Sequence, residues 1–329
     1  MKAIAFFSNK GGVGKTTLVY HVAWMFHRLG KRVLVADLDP QANLTAALLE
    51  DNRIEQLWAG APPGSIFGAV APLNERVGNA LPPHVELVDG IGLLPGDLAL
   101  SLFEDRLGRA WTACLDDDAA SAEDAFKVTT ALHRVVSVAA MEQRADVVLL
   151  DLGPSLGALN RAALVGSDAV VVPLATDFYS VRALRNLGLM LHESRAGWAT
   201  RRERPQAFES SPLPLGAMQL LGYVVVQHAA KRAHEPAPAH QRWIERLARE
   251  FHEAVLGAAP PVGADAACLG QVRHFRSLLP LSLEARKPVF DLKAADGAVG
   301  SHAAAVQDAV VAFEALTRAI ASGVGLSID

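Results

Sequence analysis

The sequence predicts an α/β protein built on a doubly wound, mostly parallel sheet flanked by helices, and three observations carry that expectation. Short runs rich in Val, Ile and Leu alternate along the chain with longer stretches of helical periodicity. The runs Val33-Leu34-Val35 and Val147-Val148-Leu149-Leu150 are apolar at successive positions, so both faces of those strands need helical cover. The run from Ala3 to Phe7 passes straight into a glycine-rich turn and then a helical pattern from Lys15, the strand–turn–helix unit with which such sheets open.

Taken in order, strands are expected over 3–8, 32–36, 92–94, 146–150, 169–172 and 220–226. Helices are expected over 15–29, 42–49, 97–111, 122–143, 156–165, 180–193, 240–256 and 302–320. In the last, Val306, Val310, Phe313, Leu316 and Ile320 make one apolar stripe while Asp308, Glu314 and Arg318 interrupt the rest, which suits packing on the sheet. Residues 59–83, rich in Gly, Pro and Ala, and the acidic run Asp116-Asp117-Asp118 read as loops or parts of an insertion. Residues 204–216, with three prolines, read as an exposed connection.

With 329 residues, 51% of them hydrophobic, the chain can bury a large core, and one domain over 1–329 with a variable insertion around 57–143 is expected. The first strand starts almost at Met1, so no cleavable leader is expected, and no apolar run is long enough to span a bilayer. The tail trails off as Ser-Gly-Val-Gly-Leu-Ser-Ile-Asp, without the Lys/Arg beside bulky apolar residues that a lipid-seeking helix offers. Cytoplasm is the expected compartment, and Cys114 and Cys268 read as two small buried residues rather than a disulfide or metal pair. Net charge is −4, which argues against wholesale nucleic-acid binding. Between Arg182 and Lys293, however, 16 Lys/Arg face 10 Asp/Glu, a local balance of +6 against −10 for the remainder. Arg242, Arg246, Arg273 and Arg276 lie in that stretch and are candidates for a phosphate-binding surface, with ordinary solvated helix faces as the alternative.

The turn itself reads Asn9-Lys10-Gly11-Gly12-Val13-Gly14-Lys15-Thr16-Thr17. A glycine-rich turn between a strand and a helix start aims backbone N–H groups and the positive helix end at one point, which suits a nucleotide polyphosphate. Lys15 is placed to reach β and γ oxygens and the Thr16 hydroxyl to ligate Mg²⁺. A dinucleotide fold needs neither a lysine nor a metal-binding hydroxyl there. After the second strand come Asp37-Leu38-Asp39-Pro40-Gln41, two carboxylates leaving the carboxyl end of the sheet, with Pro40 suited to start the next helix. Of the two, Asp39 is the better candidate to orient or polarise an attacking water. The strand Val147–Leu150 ends in Asp151, a candidate Mg²⁺ holder acting through a water, followed by Gly153 and Pro154.

The loop departs from the usual G-x-x-x-x-G-K-[ST] pattern, because its first glycine falls on Asn9 and the next residue is a second lysine, Lys10. In this it resembles the deviant Walker A loop of the ParA/MinD family, most closely the ParA-type partition proteins. Asp37-Leu38-Asp39-Pro40-Gln41 is similar to that family's D-x-D-P-Q segment, and 147–156 to its Walker B strand and switch loop. The segments 160–164, 169–173 and 179–184 continue the likeness, and with the first fifty residues it covers about half the chain.

The resemblance implies a P-loop ATPase with ATP and Mg²⁺ as cofactors, whose two protomers close face to face over two nucleotides. Lys15 would act in cis and Lys10 in trans. Residues 10–17, that is Lys10, Gly11, Gly12, Val13, Gly14, Lys15, Thr16 and Thr17, would hold the nucleotide, with Gln227 near adenine. Thr16, Asp39 and Asp151 would surround the metal, and Asp39 would direct hydrolysis. The family further implies an ATP-dependent homodimer, nonspecific DNA binding that would make the protein nucleoid-associated, and a ParB-like or other stimulating partner, while the tail described above argues against a membrane partner. A nucleotide-gated module that positions a non-DNA cargo uses the same site and stays open at this point.

Overall fold

The computed structural model describes residues 1–328 apart from 205–212, 227–236, 261, 264, 274, 276 and 277. Among the described residues, eight strands form one sheet: β1 (Lys2–Phe6), β2 (Val33–Leu38), β3 (Glu86–Val88), β4 (Ile91–Leu94), β5 (Val147–Leu152), β6 (Ala169–Leu174), β7 (Gln219–Val226) and β8 (Cys268–Val272). Their spatial order is β3-β4-β2-β5-β1-β6-β7-β8, parallel except for the antiparallel β3–β4 pair at one edge. Every residue of β2, β5 and β6 is buried, as runs apolar on both faces require.

The helices are α1 (Lys15–Arg28), α2 (Asn43–Leu48), α3 (Asp51–Trp58), α4 (Ile66–Asn74), α5 (Phe103–Ala113), α6 (Ala119–Thr129), α7 (Ala131–Glu142), α8 (Ala158–Val165), α9 (Phe178–Arg202), α10 (Ala237–Glu250), α11 (Leu278–Ala285) and α12 (Ser301–Gly323). Alternation along β1 splits the core. Ala3, Ala5 and Phe7 face a layer built from α4 to α10. Ile4 and Phe6 face the layer of α1, α2, α3, α11 and α12. The predicted stripe of α12 lies inward, with Phe313 1% and Ile320 0% exposed, and Phe313 stacks on the His21 ring at 4.8 Å between centroids. No described helix is long and apolar enough to cross a membrane.

Several expectations need correction. Residues 59–83 are not all loop, because Ile66, Ala69, Val70 and Leu73 repeat at helical spacing and bury the face of α4. Ser65 caps that helix by accepting from the Gly68 N–H at 3.2 Å, and Pro72 falls in its last turn. The helix expected over 122–143 is two, α6 and α7. They part at Thr130, whose hydroxyl bonds back to the Phe126 carbonyl at 2.7 Å and competes with the helical ladder. The segment expected as a helix over 97–111 begins as a 3₁₀ turn, Leu98–Leu102, and the one over 240–256 ends in a π turn, Phe251–Leu256. Pro40 lies in a turn, and α2 starts three residues later behind Ala42 in the left-handed region. Strands β3 and β8 were not expected at all; both are short edge strands, and β8 is mostly half-exposed. Part of the 204–216 connection lies outside the described residues.

Candidate active site

The end of β1 and the start of α1 build the floor of the site. Gly14 precedes α1 with φ +83°, a left-handed backbone that side chains rarely adopt, and an added Cβ there would stand 3.2 Å from Val226 Cγ1. The first turn of α1 has neither a side-chain cap nor an acidic residue. Its N–H groups therefore remain available to an anion, in the field of the helix dipole. They line a cavity of about 620 Å³ whose walls are Lys10 to Thr17 below, Tyr20 and His21 from α1, Asp39 and Asn43 beside α2, and Leu279 and Leu283 of α11.

Sheet register delivers the carboxylates. Asp151 on β5 pairs with Phe6 of β1 on one side and Asp37 of β2 on the other, so it lies beside the loop although more than a hundred residues away in sequence. Lys15, 7% exposed, forms an ion pair with Asp151, itself fully buried, and stands 3.9 Å from Asp39 Oδ2. The Thr16 hydroxyl donates to Asp151 Oδ2 at 2.7 Å. Burial raises the Asp151 pKa, and the Lys15 and Thr16 contacts oppose that rise by favouring the charged form.

Asp37 does not face the loop, contrary to the expectation of two carboxylates leaving the sheet together. It accepts from the Thr45 N–H at 2.8 Å and the Thr45 hydroxyl at 2.7 Å, and Thr45 Oγ1 in turn accepts from the Gly96 N–H at 2.7 Å. Asp37 thus fastens α2 and the end of β4 to the sheet, and burial followed by the charge of Asp151 raises its pKa. Asp39 reaches the cavity and accepts from the Gln41 N–H at 3.0 Å.

Lys10, also on the cavity wall, is in an ion pair with Asp177, the residue that caps α9 by accepting from the Ser180 N–H at 2.9 Å. Although burial pushes the Asp177 pKa up, the bonds from Lys10 and Ser180 hold it below the usual carboxylate value. Sequence reasoning missed Asp177, yet Asp-x-x-Ser at the head of a helical pattern is a capping signature. Arg242 and Arg246 lie exposed on α10. The Arg246 guanidinium is 5.4 Å from the Trp243 ring centre and 5.8 Å from that of Phe178, over which Arg182 also sits at 5.8 Å. Arg273 is exposed just beyond β8. Gln227 and Arg276 lie outside the described residues.

The donor set fits a phosphate chain with a hard cation: backbone N–H groups and two lysines for phosphate, and the hydroxyl of Thr16 with the carboxylates of Asp39 and Asp151 for the ion. Among the described residues no group of three or more His, Cys, Asp or Glu is arranged to hold a metal.

These features define a P-loop nucleotide-binding protein. Residues 1–196 match the AAA domain family AAA_31, and the chain belongs to that family. The chromosome-partitioning ATPase Soj of Thermus thermophilus is 35% identical over 199 residues, which span 60% of this chain and 64% of the relative, short of two thirds of its length. A solved structure from Corynebacterium diphtheriae is similar over 98% of this chain and 99% of its own, at 25% identity and a TM-score of 0.72. A Borrelia burgdorferi structure described as a plasmid partition protein bound to AMPPNP covers 98% of each chain at 18% identity and a TM-score of 0.59, a likeness of fold.

Proposed function

We propose that this chain is a ParA-like ATPase, one unit over 1–329, in which nucleotide-driven dimerisation serves partition or positioning of a cargo in the cytoplasm. The observation that carries the reading is the convergence of Lys15, Thr16, Asp39 and Asp151 on the uncapped start of α1. The similarity to Soj and to partition-protein structures supports it.

Residues 10–17 bind the polyphosphate through backbone N–H groups, and Gln227 is proposed to contact the base. Lys15 exchanges its carboxylate partner for β and γ oxygens, so its charge stays compensated in a buried setting. Mg²⁺, held by Thr16 and flanked by Asp39 and Asp151, would neutralise phosphate charge as the terminal group leaves. Asp39 orients the attacking water, which is positioning rather than covalent chemistry. Lys10 leaves Asp177 to reach the nucleotide of the second protomer. The exposed Arg242 and Arg246, with the neighbouring Arg182, Phe178 and Trp243, form the surface proposed to hold DNA without sequence preference, and Arg273 and Arg276 are proposed as further phosphate contacts. A ParB-like partner stimulating turnover completes the proposal.

Sizing in solution tests this reading. With Mg²⁺ and ATP, Asp39→Ala is expected to run as a stable dimer, and the additional Lys10→Ala change to return it to monomer. A monomer under all nucleotide conditions would overturn the dimer cycle, and an unaltered dimer without Lys10 would overturn its role in trans.

A further inference from the structure

The switch segment after Asp151 is held from a distance. Helix α8 begins just after Gly157, which supplies no side-chain cap, and its first N–H groups, those of Ala158 and Leu159, donate to the Glu104 carboxylate of α5, the second at 2.9 Å. Gly157 is required for that approach, because a Cβ there would lie 2.1 Å from Glu104 Oε1. One turn on, the Asn160 side-chain amide donates to the Gly153 carbonyl at 2.7 Å and the Ser155 carbonyl at 2.6 Å. Gly153 in turn flanks the hydrolytic carboxylate, for a Cβ there would lie 3.3 Å from Asp39 Oδ1. Asp39, Gly153 to Ser155 and Glu104 together bound a second cavity of about 430 Å³.

We propose that Glu104 is a positioning residue for hydrolysis, holding 153–157 against Asp39 through the start of α8 and the Asn160 clamp. The inference rests on the ATPase reading above. It assigns a task to the 57–143 segment, which the phosphate-loop resemblance leaves without one. The carboxylate is suited to it: both oxygens are used, a negative charge at a helix N-terminus is favourable, and the bond reaches across 54 residues from an element outside the nucleotide loop. Arg161 of α8 lies with its guanidinium 4.8 Å from the Trp111 ring centre and feels the negative charges of Glu104 and Glu193.

Steady-state hydrolysis and nucleotide affinity of Glu104→Ala and Glu104→Gln, measured beside the parent, test the proposal. A misplacement of catalytic groups on the 1 Å scale costs on the order of 100-fold, so Glu104→Ala should lose about that much in kcat while ATP affinity stays within roughly two-fold. Glu104→Gln, which keeps an oxygen acceptor, should recover part of the loss. In hydrogen exchange the Ala158 and Leu159 amides of Glu104→Ala should exchange faster while β5 keeps its protection. Parent-like kcat in Glu104→Ala overturns the inference. So does a joint loss of affinity, β5 protection and kcat, which marks a merely structural residue. A parent that binds but never hydrolyses ATP overturns the underlying reading, and the inference with it, and is told apart by the parent measurement alone.

Discussion

At the scale of single residues, the site places two carboxylates of one short segment in opposite roles. Asp37 is spent on Thr45, and Asp39 is left to face the cavity. Asp39→Ala is therefore expected to bind ATP but to hydrolyse it about 10²- to 10⁴-fold more slowly, as single-turnover kinetics would register. Asp37→Ala should instead lower stability by leaving the Thr45 donors unpaired. His21 gives a prediction of another kind. The Val289 N–H donates to His21 Nε2 at 3.1 Å, so the ring is neutral with its proton on Nδ1, which donates to the Thr17 carbonyl at 2.7 Å. Burial lowers its pKa from 6.5 to about 4. The unfolded chain therefore takes up a proton below pH 6.5 that the folded one takes up only near pH 4. Stability present above pH 6.5 is lost as the pH falls through that window, about 2 kcal/mol of it by pH 5. Urea melts at pH 7 and pH 5 should show that loss in the parent and a flatter dependence in His21→Gln.

At the scale of elements, α12 matters to the site through packing alone. Phe313 lies against His21, Phe290 and Phe275, and His21 belongs to the helix that carries the phosphate loop. Phe313→Ala should cost about 3–5 kcal/mol in denaturant melts and should weaken nucleotide binding only as far as α1 loosens. The elements that were legible in the sequence are those whose signal is local and strong. The central strands are continuous apolar runs, α1 is a continuous buried run behind the phosphate loop, and α12 carries a full stripe. What escaped depends on partners far along the chain or on composition that points the wrong way. The Gly/Pro-rich stretch around α4 hid a four-residue apolar stripe. Strand β3 is only three residues long, and the signal for its hairpin with β4 is confined to the turn pair Asp89-Gly90, both at positive φ. The phosphate loop could be read because nine consecutive residues make it. Glu104 and Asp177 could not be paired with their contacts, since those lie 54 and 167 residues away.

At the scale of the whole molecule, the basic surface and the nucleotide site adjoin. Asp177, which holds Lys10, is followed by Phe178, which lies beneath Arg182 and Arg246. If ATP-bound dimers hold random DNA there, reversing charge at Arg242 and Arg246 together should weaken binding and lower its salt dependence by roughly two counterions per protomer, as fluorescence anisotropy across a salt series would measure. Dimerisation, DNA binding and hydrolysis all presuppose that the start of α1 grips a magnesium-bound triphosphate. Isothermal titration of the full chain with Mg²⁺-ATP, beside Lys15→Ala, tests that most directly. The account predicts one saturable site per chain in the parent and none in the variant. A parent that takes up no nucleotide, or a Lys15→Ala protein that binds as tightly as the parent, would contradict it.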